Sequence, residues 1–231
     1  MRIIRQKQGA QLKVGRIVIS TIRARPGATH GVSDVLAAAT VLTAPATLAL
    51  LGFAGGGIVA PLRRLGFEGR IDAVDISREG LELFEEYCRP WAGDVRFTQA
   101  DAVGWLRRQT RPFDLIIEDL SVEIGGDITK PDVSLQEIPA LMRSMLTPEG
   151  WAVINVLPIP GLSMTRTLAR LRAPFPTSFV VSMEEYENRV VLAGRRSVSA
   201  RWVSVRLREA LRAIGSRQST KIAVRRLPRP Q

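Results

Sequence analysis

Thr47-Leu48-Ala49-Leu50-Leu51-Gly52-Phe53-Ala54-Gly55-Gly56-Gly57-Ile58 is an apolar run that stops in a glycine turn. A short continuous apolar run bounded by glycine reads as a strand buried on both faces. Thr47–Phe53 is therefore read as a strand, and Ile58–Leu65 as the helix that leaves the turn. The same unit then repeats. Strands are expected at Arg70–Asp75, Asp94–Gln99, Phe113–Asp119 and Gly150–Val156. The intervening helices fall at Arg78–Arg89, Ala102–Gln109, about Val133–Leu146, and Ser163–Arg172. Near-continuous apolar strands alternating with helices define an α/β domain: a Rossmann-like, mostly parallel sheet with helices on both faces. Two last strands, Ser178–Met183 and Arg189–Ala193, joined by an acidic turn, form a closing antiparallel hairpin.

Upstream, Arg2–Ile4 and Arg16–Ile22 are short β-like runs around Gly9 and Gly15, read as a hairpin or small sheet. A helix from about Asp34 to Leu42 follows, with Ser33 or Asp34 as its cap. Val35–Leu62 carries no charge and is long enough to span a bilayer. Pro45, three threonines and the glycine turn argue against a span and for a helix, a break and a buried strand. Downstream, Val203, Leu207, Leu211 and Ile214 share one face of a helix over Ala200–Ile214, which Gly215 ends. Residues 216–231, with Pro228 and Pro230, read as a loose basic tail. The chain thus divides into a short N-terminal β segment (1–30), a Rossmann-like domain (31–195) and a basic C-terminal helix with its tail (196–231).

At 231 residues and 45% hydrophobic, the chain is large enough for one domain with a substantial core. Its single cysteine, Cys88, excludes an intrachain disulfide and reads as a small core residue. Its single histidine, His30, excludes a His-rich metal site, and no resident metal is expected. The net charge of +11 is uneven. Residues 1–25 and 195–231 are strongly basic, whereas residues 26–194 hold 15 Lys and Arg against 21 Asp and Glu. The acidic body suits a small cationic substrate. The basic ends are compatible with nucleic acid, and a homo-oligomer is compatible with the composition. Met1–Arg25 is basic with no long apolar stretch, so no secretory signal fits and a cytoplasmic location is expected.

Ligands of open α/β sheets sit outside the carboxyl ends of the strands, and four successive strand ends here carry suitable groups. The glycine turn Gly52–Gly57 allows close backbone approach and frees N–H groups at the next helix. Asp75, at the end of the second strand, is placed to accept from ribose hydroxyls or to cap the next helix. Asp101, after the third strand, suits the exocyclic amine of adenine or a helix cap. Glu118 and Asp119 end a buried strand, where acids are costly unless used or solvated. Together these favour nucleoside binding. Gly-x-Gly-x-x-Gly is not satisfied, because Ala54 stands at the second glycine position, and this weakens a dinucleotide reading.

Leu51–Val59, Val74-Asp75, Ala100-Asp101-Ala102 with Trp105-Leu106, Phe113–Ser121 and Pro148-Glu149-Gly150 resemble the spermidine synthase family, which shares the class I methyltransferase fold. The resemblance covers roughly residues 28–157. It implies an S-adenosylmethionine or decarboxylated S-adenosylmethionine site formed by Gly52, Ala54, Gly55, Gly56, Gly57, Asp75, Asp101 and Ala102. It implies Asp119 as the proton-accepting aspartate. Glu118, Glu123 and Asp127 are candidates for binding a cationic amine. Aminopropyl transfer to a polyamine is the activity implied. Methyl transfer and non-catalytic binding on the same fold are the alternatives. The chain departs from the family twice: Gly55 stands where an aspartate holds the cofactor's ammonium, and Val122 where a second acid follows the catalytic one.

Overall fold

The computed structural model describes residues 2–228. Strands β1 (Arg2–Gln6), β2 (Gly9–Val14) and β3 (Ile17–Arg23) form an antiparallel sheet of their own. Helix α1 (Val32–Ala38) and a 3-10 turn over Ala39–Leu42 lead to β4 (Thr47–Leu51). The repeating part follows as α2 (Val59–Arg64), β5 (Arg70–Asp75), α3 (Leu81–Cys88), β6 (Val95–Gln99), α4 (Ala102–Arg107) and β7 (Phe113–Glu118). A small hairpin, β8 (Val122–Ile124) and β9 (Asp127–Thr129), precedes α5 (Val133–Gln136) and α6 (Ile138–Ser144). The chain closes with β10 (Leu146–Val156), α7 (Met164–Arg172), β11 (Thr177–Met183), β12 (Tyr186–Gly194), α8 (Ala200–Ala213) and β13 (Ile222–Arg226).

The central sheet has eight strands in the order β13-β11-β12-β10-β7-β4-β5-β6. Strands β6, β5, β4, β7 and β10 are mutually parallel, and β12, β11 and β13 are added antiparallel. From β4 the chain winds outward to β5 and β6, then returns to lay β7 on the other side of β4. The strand order reverses between β4 and β7, which is where a doubly wound sheet opens a crevice for ligands. Alternate residues of β4 serve different layers. Leu48 and Leu50 join a core with α1, α2, α3 and α8, while Ala49 and Leu51 join one with α4, α6 and α7. Burial on both faces is the reason this strand reads as a continuous apolar run.

Several expectations are refined. The N-terminal segment has three strands, and Ala10, Leu12 and Ile22 enter the same core as β4 and α1. Helix α1 starts after Gly31 with no side-chain cap. Asp34 lies in its first turn and reaches back to accept from Thr29 and His30. The helix expected over 133–146 is two helices, because Pro139, near the start of α6, has no N–H with which to continue α5. The uncharged stretch Val35–Leu62 is divided among α1, the 3-10 turn, β4, the glycine turn and α2. Among the described residues no helix is long and apolar enough to cross a membrane.

The loose tail is a correction. Residues 217–219 form a 3-10 turn and β13 pairs with β11 from Phe179↔Arg226 to Met183↔Ile222. Gln218, Ile222 and Leu227 are buried. The strand covers what is otherwise the open edge of the hairpin. Residues 229–231 of the expected tail lie outside the described residues. Deleting residues 216–231 is therefore expected to cost at least about 3 kcal/mol, from the burial of Ile222 and Leu227 alone. Urea denaturation of the truncated chain checks this.

Candidate functional site

The site begins with a backbone contact. Gly52 has φ +90°, and a Cβ on it would stand 2.6 Å from the carbonyl oxygen of Asp119. Only glycine fits there, so the chains leaving β4 and β7 come together. The Asp119 N–H donates to Leu51 O (2.7 Å) and the Gly52 N–H to Val74 O (2.9 Å), tying three strand ends into one floor.

Asp75 holds the turn that follows. Its Oδ2 accepts from the N–H groups of Phe53 (2.8 Å) and Ala54 (2.9 Å), and its Oδ1 from Ser77 N–H (3.0 Å). Ala54 itself has φ +46°, a left-handed conformation uncommon outside glycine. Asp75 does not cap α3. Three of roughly four acceptor sites on its carboxylate are taken, leaving about one for a ligand hydroxyl. Asp101 does cap α4: its Oδ2 accepts from Gly104 N–H (2.6 Å). Among the described residues its Oδ1 takes no hydrogen bond, so both expected roles are compatible in one side chain.

Asp75, Asp101 and Asp119 all line one cavity of about 660 Å³, together with Gly52, Ala54 and Ala102. Much of the rest of its wall comes from residues outside the expected site. Ile76 and Ala100 join at the β5 and β6 ends, Asn155, Asn188 and Tyr186 at the β10 and β12 ends, and Ile17–Thr21 of β3 close over the top. The signal for Asn155 is a lone amide within an otherwise apolar strand; the closure by β3 leaves no local signal.

Gly55, Gly56 and Gly57 do not line the cavity. A Cβ on Gly55 would lie 2.5 Å from Ile22 Cδ1 and 2.9 Å from Leu12 Cδ1. One on Gly56 would meet Phe84 and Phe53, and one on Gly57 the Ser20 hydroxyl. These glycines are needed for packing of the N-terminal sheet and α3 against the turn. On its Cβ side Gly55 thus faces apolar side chains.

The expected cation pocket does not assemble either. Glu118 is fully buried, and both of its oxygens accept from Lys130 Nζ, at 2.7 and 2.6 Å. Oε1 also accepts from Ser134 Oγ (2.9 Å) and Leu120 N–H (3.1 Å). Lys130, equally buried, donates further to Leu120 O. Glu123 and Asp127 lie exposed on the β8–β9 hairpin and do not line the cavity, although Val122 and Ile128 of that hairpin do.

Asp119 faces the cavity and accepts from Asn155 Nδ2 (2.7 Å), while Asn155 Oδ1 accepts from Asn188 Nδ2 (2.9 Å). Burial pushes its carboxyl up to about 6, against the Asn155 hydrogen bond and the Lys130 charge, with Glu118 and Asp75 adding to the rise. A carboxylate poised near neutrality, held by one amide and open on its other oxygen, is suited to take a proton from a bound nucleophile.

With this geometry the fold finds counterparts among solved structures. Human methyltransferase-like protein 13 in complex with SAH superposes with a TM-score of 0.59 at 22% identity, covering 87% of this chain and 91% of its own. Spermidine synthase from Thermotoga maritima superposes with a TM-score of 0.64 at 12% identity, covering 92% and 73%. The N-methyltransferase NodS from Bradyrhizobium japonicum WM9 reaches 0.52 at 13% identity, covering 71% and 94%. No family model and no curated relative matches the sequence. The chain therefore has the Rossmann-like fold of these methyltransferases and of spermidine synthase.

Two outcomes follow from the site. The folded pKa of Asp119 lies above the ordinary value of 3.8. Between about pH 4 and pH 6 the folded state keeps a proton there that the unfolded chain has released, so this group's contribution to stability falls as pH rises through that window. The expected change is about 2–3 kcal/mol. Asp119→Asn should abolish it in urea melts at pH 4.5 and pH 7. Gly55→Asp should destabilise the fold by about 3 kcal/mol or more, through overpacking against Leu12 and Ile22 and burial of a carboxylate. Thermal melting checks this.

Proposed function

We propose that the protein is a transferase that binds an S-adenosylmethionine-type nucleoside and transfers an alkyl group to an amine. One observation carries this reading: Asp75, Asp101 and Asp119, from the ends of three parallel strands, open into a single cavity at the point where the strand order reverses. The neighbouring folds support it, since one is a methyltransferase in complex with SAH and another is spermidine synthase in complex with AdoDATO.

The residues present fit such a nucleoside. Asp75 has an acceptor site for a ribose hydroxyl, Asp101 Oδ1 accepts from the adenine amine, and Ile76 offers an apolar wall. Gln11, Ser20 and Thr21 line the cavity with uncharged polar groups, which suit a zwitterionic amino-acid end. When bound, the sulfonium supplies an electrophilic carbon with a neutral thioether as leaving group. Asp119 receives the proton of the amine, Asn155 holds one of its oxygens, and Asn188 fixes the Asn155 amide.

S-Adenosylmethionine itself, and hence methyl transfer, is the reading favoured here. The bare ammonium of the decarboxylated cofactor calls for an acid at the glycine turn, and Gly55 is closed off by Leu12 and Ile22. Aminopropyl transfer is the second reading, favoured by Asp119 standing where the spermidine synthase resemblance puts the proton acceptor.

S-Adenosylhomocysteine is expected to bind and to raise the melting temperature by mass action. Asp101→Asn keeps a side-chain oxygen for the α4 cap but turns N–H donors toward the adenine amine. It should lower affinity by about tenfold, the scale of one lost hydrogen bond, and leave the melting temperature of the free protein unchanged. Equal affinity in calorimetry would remove Asp101 from the site.

A further inference from the structure

The end of the cavity away from the nucleoside carries one formal charge. Sheet order puts the ends of β5 and β6 on one side of the reversal point and those of β10 and β12 on the other. On this second side the only ionised group lining the cavity, among the described residues, is Asp119; its neighbours there are Asn155, Asn188, Leu157 and Tyr186. Among the described residues no Lys, Arg or His lines the cavity. Glu118 is neutralised by Lys130 behind the wall, and Glu123 and Asp127 face solvent. The rest of this end is mostly apolar, with Val122, Ile128, Pro131 and Val133 from one side and Ile17 and Val18 from β3 on the other; the hydroxyls of Ser121, Thr29 and Ser33 add polarity but no charge. Ile17 and Val18 are each about 40% exposed, more than a closed core leaves on residues of this size.

We propose that the acceptor is an apolar molecule carrying a single amine, not a polyamine, with its ammonium on Asp119 and its apolar body between β3 and the β8–β9 hairpin. The inference rests on the transferase reading above and specifies its substrate class. One ammonium meets the one carboxylate, whose second oxygen is free of Asn155. A second ammonium on the same molecule would lie against half-buried Val122, Ile128 and Val133 with no carboxylate to pair it, which disfavours such a ligand in the site. An alkyl or aryl body buries its surface against the same residues favourably.

The test is calorimetry on the full chain saturated with S-adenosylhomocysteine, using propylamine, butylamine, pentylamine and hexylamine against 1,4-diaminobutane. Affinity is expected to rise about fourfold per methylene, the equivalent of burying one CH₂. The diamine should bind at least tenfold more weakly than butylamine. Val122→Asp places a second carboxylate on the hairpin wall. It should strengthen diamine binding by about tenfold and weaken hexylamine binding. Ile128→Asp is the second variant with the same expectation, and a retained melting shift with S-adenosylhomocysteine shows that each is folded. A flat alkylamine series, or a diamine that binds the native protein as tightly as butylamine, would overturn the inference. Absence of S-adenosylhomocysteine binding would instead strike the functional reading; the amine series, run without it, still decides the substrate class.

Discussion

The close passage of Gly52 beside the Asp119 carbonyl is the contact on which the site depends. A parallel pair such as β4 and β7 normally spreads beyond its last hydrogen bond, because side chains hold the emerging loops apart. Here the missing Cβ and the positive φ let the two loops cross at van der Waals distance. The glycine turn is thereby set beside Asp75, which fastens it through two backbone N–H groups, and Asp119 is turned into the same opening. A side chain at position 52 would push against the Asp119 carbonyl and move Asp119 away from the Asp75 side of the cavity.

Charge is distributed around that crossing so that one carboxylate is left without a cationic partner in contact. Adjacent residues of a strand point to opposite faces, so Glu118 and Asp119 cannot share a cavity. Glu118 goes to the helix side, where Lys130, Ser134 and the Leu120 N–H satisfy it. The buried pair is net neutral. Removing either partner would leave a buried charge uncompensated, whereas the intact pair contributes little field of its own. Asp119 is left with a single amide hydrogen bond and two carboxylate neighbours, and burial raises its pKa rather than a partner lowering it.

The order of strands and helices was legible because doubly buried strands announce themselves as apolar runs and the turns between them are rich in glycine and aspartate. The three strand-end aspartates were legible for the same reason. Their local rivals were only partly resolved: Asp101 caps and faces the cavity at once, and Asp75 holds a loop that no cap analysis foresees. Glu118 was misassigned although the period-2 rule already separates it from Asp119; what could not be read is Lys130, whose approach is a tertiary event. Strand β13 was illegible because Ile222-Ala223-Val224-Arg225-Arg226 is half polar and lies in a basic, proline-containing stretch. Its place in the sheet comes from pairing with β11, 40 or so residues earlier in the chain. The packing of Leu12 and Ile22 against Gly55 has no local signal, because both belong to strands whose docking no local pattern encodes.

Both chain ends therefore contribute to the cavity. The N-terminal sheet supplies its β3 wall and packs over the glycine turn. The C-terminal segment acts through the loop Thr29–Gly31, of which Thr29 and Gly31 line the cavity. His30 in that loop has φ +65°, a conformation that needs outside support. Asp34 provides it from one side, accepting from the N–H groups of Thr29 and His30 at 2.7 and 2.9 Å. Buried Gln218 provides it from the other, donating through Nε2 to the His30 carbonyl at 3.1 Å. The 3-10 turn that carries Gln218 is anchored in turn by β13 and by the ion pair of Lys221 with Glu185, next to cavity residue Tyr186. A strained loop held at both faces by buried side chains has its geometry fixed by the fold, and so has the part of the cavity wall that Thr29 and Gly31 form.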